Sequence, residues 1–258
     1  MTASLLLGDW RDVLDVVVDS TISDPPYGAR THAGHNEGSK TANGCFDNEL
    51  DYDHWTPEDV REFVEFWSPR TRGWLIGMTS HDLIPAWEAA LAEVGRYAFA
   101  PLPYVDLGKG PRVVGDGPAS WTCHIIAARP RSSAWLRDWR ARRTSLGLSC
   151  SLDGAYIRQP GDVVWTPPGT SRSKRIGGKP MGLMRRLVED YSFPGDVVCD
   201  PCAGHGTTLR AAIECGRSAV GAEIDPEAWA LARDRLAAPV PLSLFPIANP
   251  VAIQGDLF

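Results

Sequence analysis

Residues 196 to 225 constrain the fold more than any other stretch. "DVVCD" (196–200) is a short apolar run of strand character, and "TTLRAAIECG" (207–216) is helix-like and stopped by Gly216. "SAVGAEID" (218–225) is a second apolar run. A strand, a helix and a strand in about 30 residues make a βαβ unit, whose two strands lie parallel in one sheet. Between the first strand and the helix stands "DPCAGHGTT" (200–208). Gly204 and Gly206 permit a tight turn and a close backbone approach, and the helix start offers unpaired N–H groups. Doubly wound sheets bind ligands at this edge, the carboxyl ends of the strands. The loop is not G-x-G-x-x-G, because Thr207 and Thr208 occupy the continuation. Glu223 ends the next strand about 20 residues on, where an acid commonly holds ribose hydroxyls.

The same alternation runs through the chain and predicts an α/β fold with a largely parallel sheet. "VVVDSTI" (16–22), "GWLIGM" (73–78) and "WTCHIIAA" (121–128) read as strands. "TPEDVREFVEFWSP" (56–69) reads as a helix with Thr56 as N-cap and Pro57 in the first position. Its Val60, Phe63, Val64 and Trp67 make one buried stripe. "IPAWEAALAEVG" (84–95), "MGLMRRLVEDY" (181–191) and "PEAWALARDRLA" (226–237) are further helices. Periodicity fades over 129–178, which reads as an irregular insertion. No apolar run approaches the roughly 20 residues of a membrane span. Six scattered cysteines suggest reduced thiols in a cytoplasm.

"SDPPYG" (23–28) follows the first long apolar run. Its prolines fix φ and remove two backbone donors, and they push the preceding residue into extended geometry. The result is a stiff peptide with free carbonyls, an acceptor carboxylate before it (Asp24) and a flat ring after it (Tyr27). That combination suits a planar group carrying an amine.

Net charge is −6, yet residues 129–186 hold thirteen Lys and Arg against three acids, so this segment is +10 and the remainder −16. "RPRSSAWLRDWRARR" (129–143) alone contains six Arg. Such polarity fits a protein that meets phosphates with one face, or an ordinary solvated helix. Candidate phosphate contacts are Arg137, Arg140, Arg142, Arg143, Arg172, Lys174 and Arg175. Cys199, Cys202 and His205 lack the further ligands of a metal site, so no metal is expected. His32 and His35 (H-x-x-H) lie in a polar stretch read as closing over a substrate rather than binding metal.

Together, "SDPPYG" and "DPCAGHGTT" resemble the amino-methylating DNA methyltransferases, which move a methyl group from S-adenosylmethionine to adenine N6 or cytosine N4. The tetrapeptide-first order is similar to the class called β. "LLLGDW" (5–10), "GGKPMGLMRRLV" (177–188) and "GAEIDPEAW" (221–229) extend the likeness over nearly the whole chain. The resemblance implies a Rossmann-like mixed seven-stranded methyltransferase sheet in circularly permuted motif order. Residues 1–128 would form the catalytic part, 129–178 the target-recognition insertion, and 179–258 the cofactor-binding part with a tail. It implies catalysis by Asp24, Pro25, Pro26 and Tyr27 on a base flipped out of duplex DNA. Asp200, Pro201, Ala203, Gly204, Gly206 and Thr207 would line the methionine part of the cofactor, with Glu223 at the ribose. Lys179 and Pro180 would flank the cofactor's carboxylate end, and Asp9 the adenine. The sequence departs from the family at Cys202, which stands where Phe is usual, and at His205, which replaces Ser. Asp at the head of the tetrapeptide favours adenine N6, since many N4 enzymes carry Ser there. RNA, a protein glutamine and a catalytically dead DNA-binding module are the remaining alternatives. The short recognition region fits a short site or a homodimer. "QGDLF" (254–258) resembles the peptide by which replication proteins dock on the sliding clamp, through Gln254, Leu257 and Phe258; a tail folded on its own domain is the alternative.

Overall fold

The computed structural model describes residues 1–31, 53–106, 122–165 and 178–239. The strands among them form one nine-stranded sheet. They are β1 (Ala3–Leu7), β2 (Ser20–Ser23), β3 (Leu75–Thr79), β4 (Tyr97–Ala98), β5 (Leu102–Val105), β6 (Thr122–Arg129), β7 (Tyr156–Ile157), β8 (Val197–Asp200) and β9 (Ser218–Glu223). The sheet order is β1-β9-β8-β2-β3-β6-β5-β7, with β4 beside β6. Neighbours from β1 to β3 are parallel, and β6 runs against β3, β4 and β5. Setting aside the two-residue strands β4 and β7, this is the expected seven-stranded mixed sheet.

Helices cover both faces: α1 (Trp10–Val13), α2 (Pro57–Trp67) and α3 (Ile84–Glu93) on one, and α4 (Ser133–Ser145), α5 (Met181–Tyr191) and α6 (Thr207–Glu214) on the other. A seventh helix, α7 (Pro226–Ala237), follows β9. Because strand side chains alternate, a sheet covered twice needs apolar residues at every position. Leu75 and Cys199 accordingly join the core under α2 and α3, whereas Ile76, Met78 and Val198 join the core under α5 and α6. Gly77 of β3 leaves room for the indole of Trp87, since an added Cβ would lie 2.6 Å from that ring. Helix α2 begins as read: Thr56 and Asp59 form a reciprocal capping box, and Val60, Phe63, Val64 and Trp67 are buried.

Two expectations change. The strand expected at 16–22 covers only Ser20–Ser23; Val17 is exposed and Val18 makes a single bridge to Thr71. Residues 129–178 are not irregular throughout, because α4 packs Trp139 into the core. His32 and His35, the basic trio Arg172, Lys174 and Arg175, and the tail with Gln254, Leu257 and Phe258 lie outside the described residues. No helix among the described residues is long and apolar enough to cross a membrane.

Candidate active site

Strand β8 lies between β9 and β2. One connection leaves it through α6 to β9, while β2 continues away through α2 to β3. The crevice of a doubly wound sheet opens at this reversal. "SDPPYG" leaves β2 on one side of it and "DPCAGHG" leaves β8 on the other. Ser23 Oγ donates to Asp200 Oδ1 at 2.8 Å and joins the two turns. Asp200 is fully buried and also accepts from the backbone N–H of Cys202 at 3.1 Å. Burial pushes its carboxyl up to about 6, against hydrogen bonds from Thr208, Ser23 and Cys202 that favour the charged form.

The loop that follows is shaped by its glycines. Gly204 has φ 53° and Gly206 φ 71°, and an added Cβ on Gly206 would meet Ala232 at 3.2 Å. Ala203 N–H donates to Ala222 O and holds the loop to β9. Glu223 accepts from Gly204 N–H at 2.7 Å and from Asp225 N–H at 2.9 Å. Thr207 opens α6, and its hydroxyl accepts from Arg235, which also bonds His205 O. Asp200, Pro201, Ala203, Gly204, Gly206, Thr207 and Glu223 are therefore brought together at one sheet edge. Asp9 reaches the same edge, where Gly8 N–H bonds Glu223 O, but its carboxylate caps α1 and pairs with Arg11 at 2.9 Å.

On the other side, Pro25 is buried and Asp24, Pro26 and Tyr27 are partly so. Lys179 Nζ donates to Asp24 Oδ2 at 2.6 Å and lies 4.9 Å from the Tyr27 ring centroid. Asp24 Oδ1 and the Tyr27 hydroxyl are buried and make no well-aligned hydrogen bond among the described residues, although the phenol lies beside the Asp24 carboxylate and the Cys123 thiol. Desolvation pushes the Tyr27 phenol far up, so it stays neutral. Gly28 N–H bonds Ser80 Oγ, and the Asp82 carboxylate occupies the space a Cβ on Gly28 would need. Trp55 N–H bonds Tyr27 O, so the chain returns to this turn after residue 52. Pro180 caps α5 and bridges Val164.

The arginine helix is elsewhere. Arg142 pairs with Asp196 at 2.7 Å, and Asp196 precedes β8, at the end of the strand remote from Asp200. Arg143 is buried and donates to the carbonyls of Ser149 and Asp190. An added Cβ on Gly73, which precedes β3, would touch Trp135 of the same helix. Helix α4 thus lies at the amino ends of the parallel strands, away from the crevice. Arg143 is structural rather than phosphate-facing, Arg142 is committed to Asp196, and the exposed Arg137 and Arg140 share the helix's remote position. Ser23, Ser80, Asp82 and Arg235 were not singled out from sequence. Ser23 and Asp82 sit within or beside strand-end turns and were legible there; Arg235 lies in a polar helix and gave no signal. Among the described residues, no three His, Cys, Asp or Glu side chains gather as metal ligands would.

A family model described as DNA methylase, of the N6/N4 group, matches residues 157–234. Over these residues the chain is similar to the DNA methylase family. The match takes in α5, the glycine loop and Glu223 but not Asp24. The Type II methyltransferase M.MjaI of Methanocaldococcus jannaschii is 38% identical over 80 residues, 28% of this chain and 26% of that protein. The first curated relatives are matched over only 15% to 26% of their own lengths. Likeness over the whole chain is one of fold. M1.HpyAVI, solved in complex with SAM, superposes with a TM-score of 0.62 at 18% identity, covering 92% of this chain and 100% of that one. The cytosine-N4-specific PvuII DNA methyltransferase does so at 0.58 and 13% identity, covering 91% of this chain and 86% of that one. The segment that carries Asp24, outside the family match, is thus held in the DNA methylase fold beside the segment that carries the match.

Proposed function

We propose that this chain is an S-adenosylmethionine-dependent DNA methyltransferase that methylates the exocyclic N6 of adenine in a base extruded from the duplex. The observation that carries the reading is the buried Oδ1 of Asp24, on a proline-stiffened turn joined by Ser23 to the glycine loop.

The residues present fit the cofactor. Gly204 and Gly206 keep the loop free of side chains, Glu223 is fixed by two backbone N–H groups, and the α6 N-terminus faces the same edge. Asp200, Pro201, Ala203 and Thr207 would line its amino-acid part, with Glu223 at the ribose and Asp9 beyond. When bound, S-adenosylmethionine supplies an electrophilic methyl group on a sulfonium. The chain's own task is to make a poor nucleophile competent. An exocyclic amine shares its lone pair with the ring, and acceptors that hold its hydrogens out of plane localise that pair. Asp24 Oδ1 supplies one acceptor and a carbonyl of the Pro25–Pro26 peptide the other, both stronger for the pyramidal transition state than for the flat ground state. Tyr27 offers its ring for stacking. Arg172, Lys174 and Arg175 are candidate phosphate contacts on the strength of the resemblance and their charge alone.

The acceptor pair would serve cytosine N4 equally; Asp rather than Ser at position 24 favours adenine. Duplex DNA, the matching RNA and total protein should be incubated with labelled cofactor and the products hydrolysed and weighed. N6-methyladenine from duplex DNA, lost by about 100-fold or more in Asp24→Ala, is the expected result. N4-methylcytosine would replace the base assignment, and label in RNA or protein alone would remove the DNA reading.

A further inference from the structure

We propose that Lys179 is a positioning residue of the amine site: one ammonium holds the Asp24 carboxylate and the Tyr27 ring in register and leaves Oδ1 to the substrate. This rests on the functional reading above. It assigns Lys179 a task different from flanking the cofactor's carboxylate end.

The geometry is specific. Nζ lies 2.6 Å from Asp24 Oδ2 and 4.9 Å from the Tyr27 centroid. The two charged side chains are only 12% and 21% exposed, so solvent competes little for either. A carboxylate on a short side chain can still turn about its last bond, exchanging its oxygens. With Oδ2 committed to Lys179, Oδ1 is the acceptor left over; it is buried near the Tyr27 phenol, so an entering amine has to displace what covers it. The lysine is itself anchored: it precedes Pro180, the α5 cap, which pairs with Val164. A single cation on both the acceptor and the stacking ring fixes their separation, which an extruded planar amine must match. Asp24 and Lys179 are 155 residues apart, so the contact also ties the catalytic turn to the cofactor half.

The test compares wild type with Lys179→Met and Lys179→Arg in steady-state methylation of duplex DNA and in equilibrium binding of S-adenosylmethionine. Lys179→Met should lower kcat about 10- to 100-fold, as a loosened reacting group does, with cofactor Kd within about twofold of wild type. Lys179→Arg keeps the charge and should recover activity to within about fivefold. A rise in cofactor Kd that accounts for the lost activity would make Lys179 a cofactor ligand and overturn the proposal. Undiminished kcat in Lys179→Met would overturn it too, as would a rise in DNA affinity, which would mark the lysine as a mere occupant of the amine's place. Should Lys179→Met fail to fold, Lys179→Arg decides alone: cofactor affinity near wild type with activity within about fivefold supports positioning, and a larger loss of either rejects it. A wild-type protein inert on duplex DNA removes the functional reading itself, whereas an active wild type with unaffected variants removes only the role of Lys179.

Discussion

Asp200 is the residue at which the fold and the proposed cofactor site compete. Its carboxyl is fully buried and titrates at about 6, well above an ordinary aspartate, because desolvation outweighs the bonds from Thr208, Ser23 and Cys202. A raised acid binds its proton more tightly in the folded state. Stability linked to it is therefore full at low pH and declines as pH climbs from about 4, the unfolded value, to about 6. Above that the ionised group costs the fold about 3 kcal/mol. Asp200→Asn removes the charge and keeps an acceptor oxygen. By urea denaturation it should be more stable than wild type by about this amount at pH 8, with the gap about halved at pH 5 and closed by about pH 3. A gap independent of pH would show that burial of the charge is not the cause. The same substitution should weaken cofactor binding, because Asp200 belongs to the loop that would receive it.

At the scale of elements, helix α4 shows where sequence reasoning succeeds and stops. Helix α2 was legible because its apolar stripe has four members and its cap is reciprocal. The βαβ segment was legible because its strands are apolar except at their ends and its turn needs glycine. Helix α4 has only Trp135 and Trp139 as apolar core contacts within a run of arginines, too thin a stripe to outweigh the charge. Its packing uses arginine as an amphipath: Arg143 is buried against Trp139, and Arg142 lies over Phe193 with its guanidinium 4.0 Å from the ring. Charge was thus read as a phosphate surface when part of it is core. Arg143→Ala should destabilise the protein by about 1–3 kcal/mol, measured by denaturant titration, because the Ser149 and Asp190 carbonyls lose their donor. The site residues from Asp200 to Glu223 could be named from sequence, since a turn between a strand and a helix fixes their place. The pairings of Asp24 with Lys179 and Ser23 with Asp200 could not, because each spans more than 150 residues and depends on how the sheet closes.

At the scale of the whole molecule, the arginines of helix α4 stand apart from the crevice. Arg137 and Arg140 belong to that set, while Arg172, Lys174 and Arg175 are phosphate candidates by resemblance and charge. Replacing the second group by alanine should weaken binding to duplex DNA and shallow the plot of log affinity against log salt by about one for each phosphate that is no longer neutralised. Replacing Arg137 and Arg140 should leave both unchanged, and an equal effect of the two sets would place DNA on helix α4 as well. The order of strands has one further bearing. β2, which carries the acceptor turn, lies beside β8, and β1 lies beside β9, so early segments of the chain take late ones as neighbours. During synthesis the first 31 residues leave the ribosome long before Lys179 and Asp200 exist to fix them. On the proposed function, the site is incomplete until β8 and β9 have both emerged, so a ribosome-stalled fragment ending short of Glu223 should be inert.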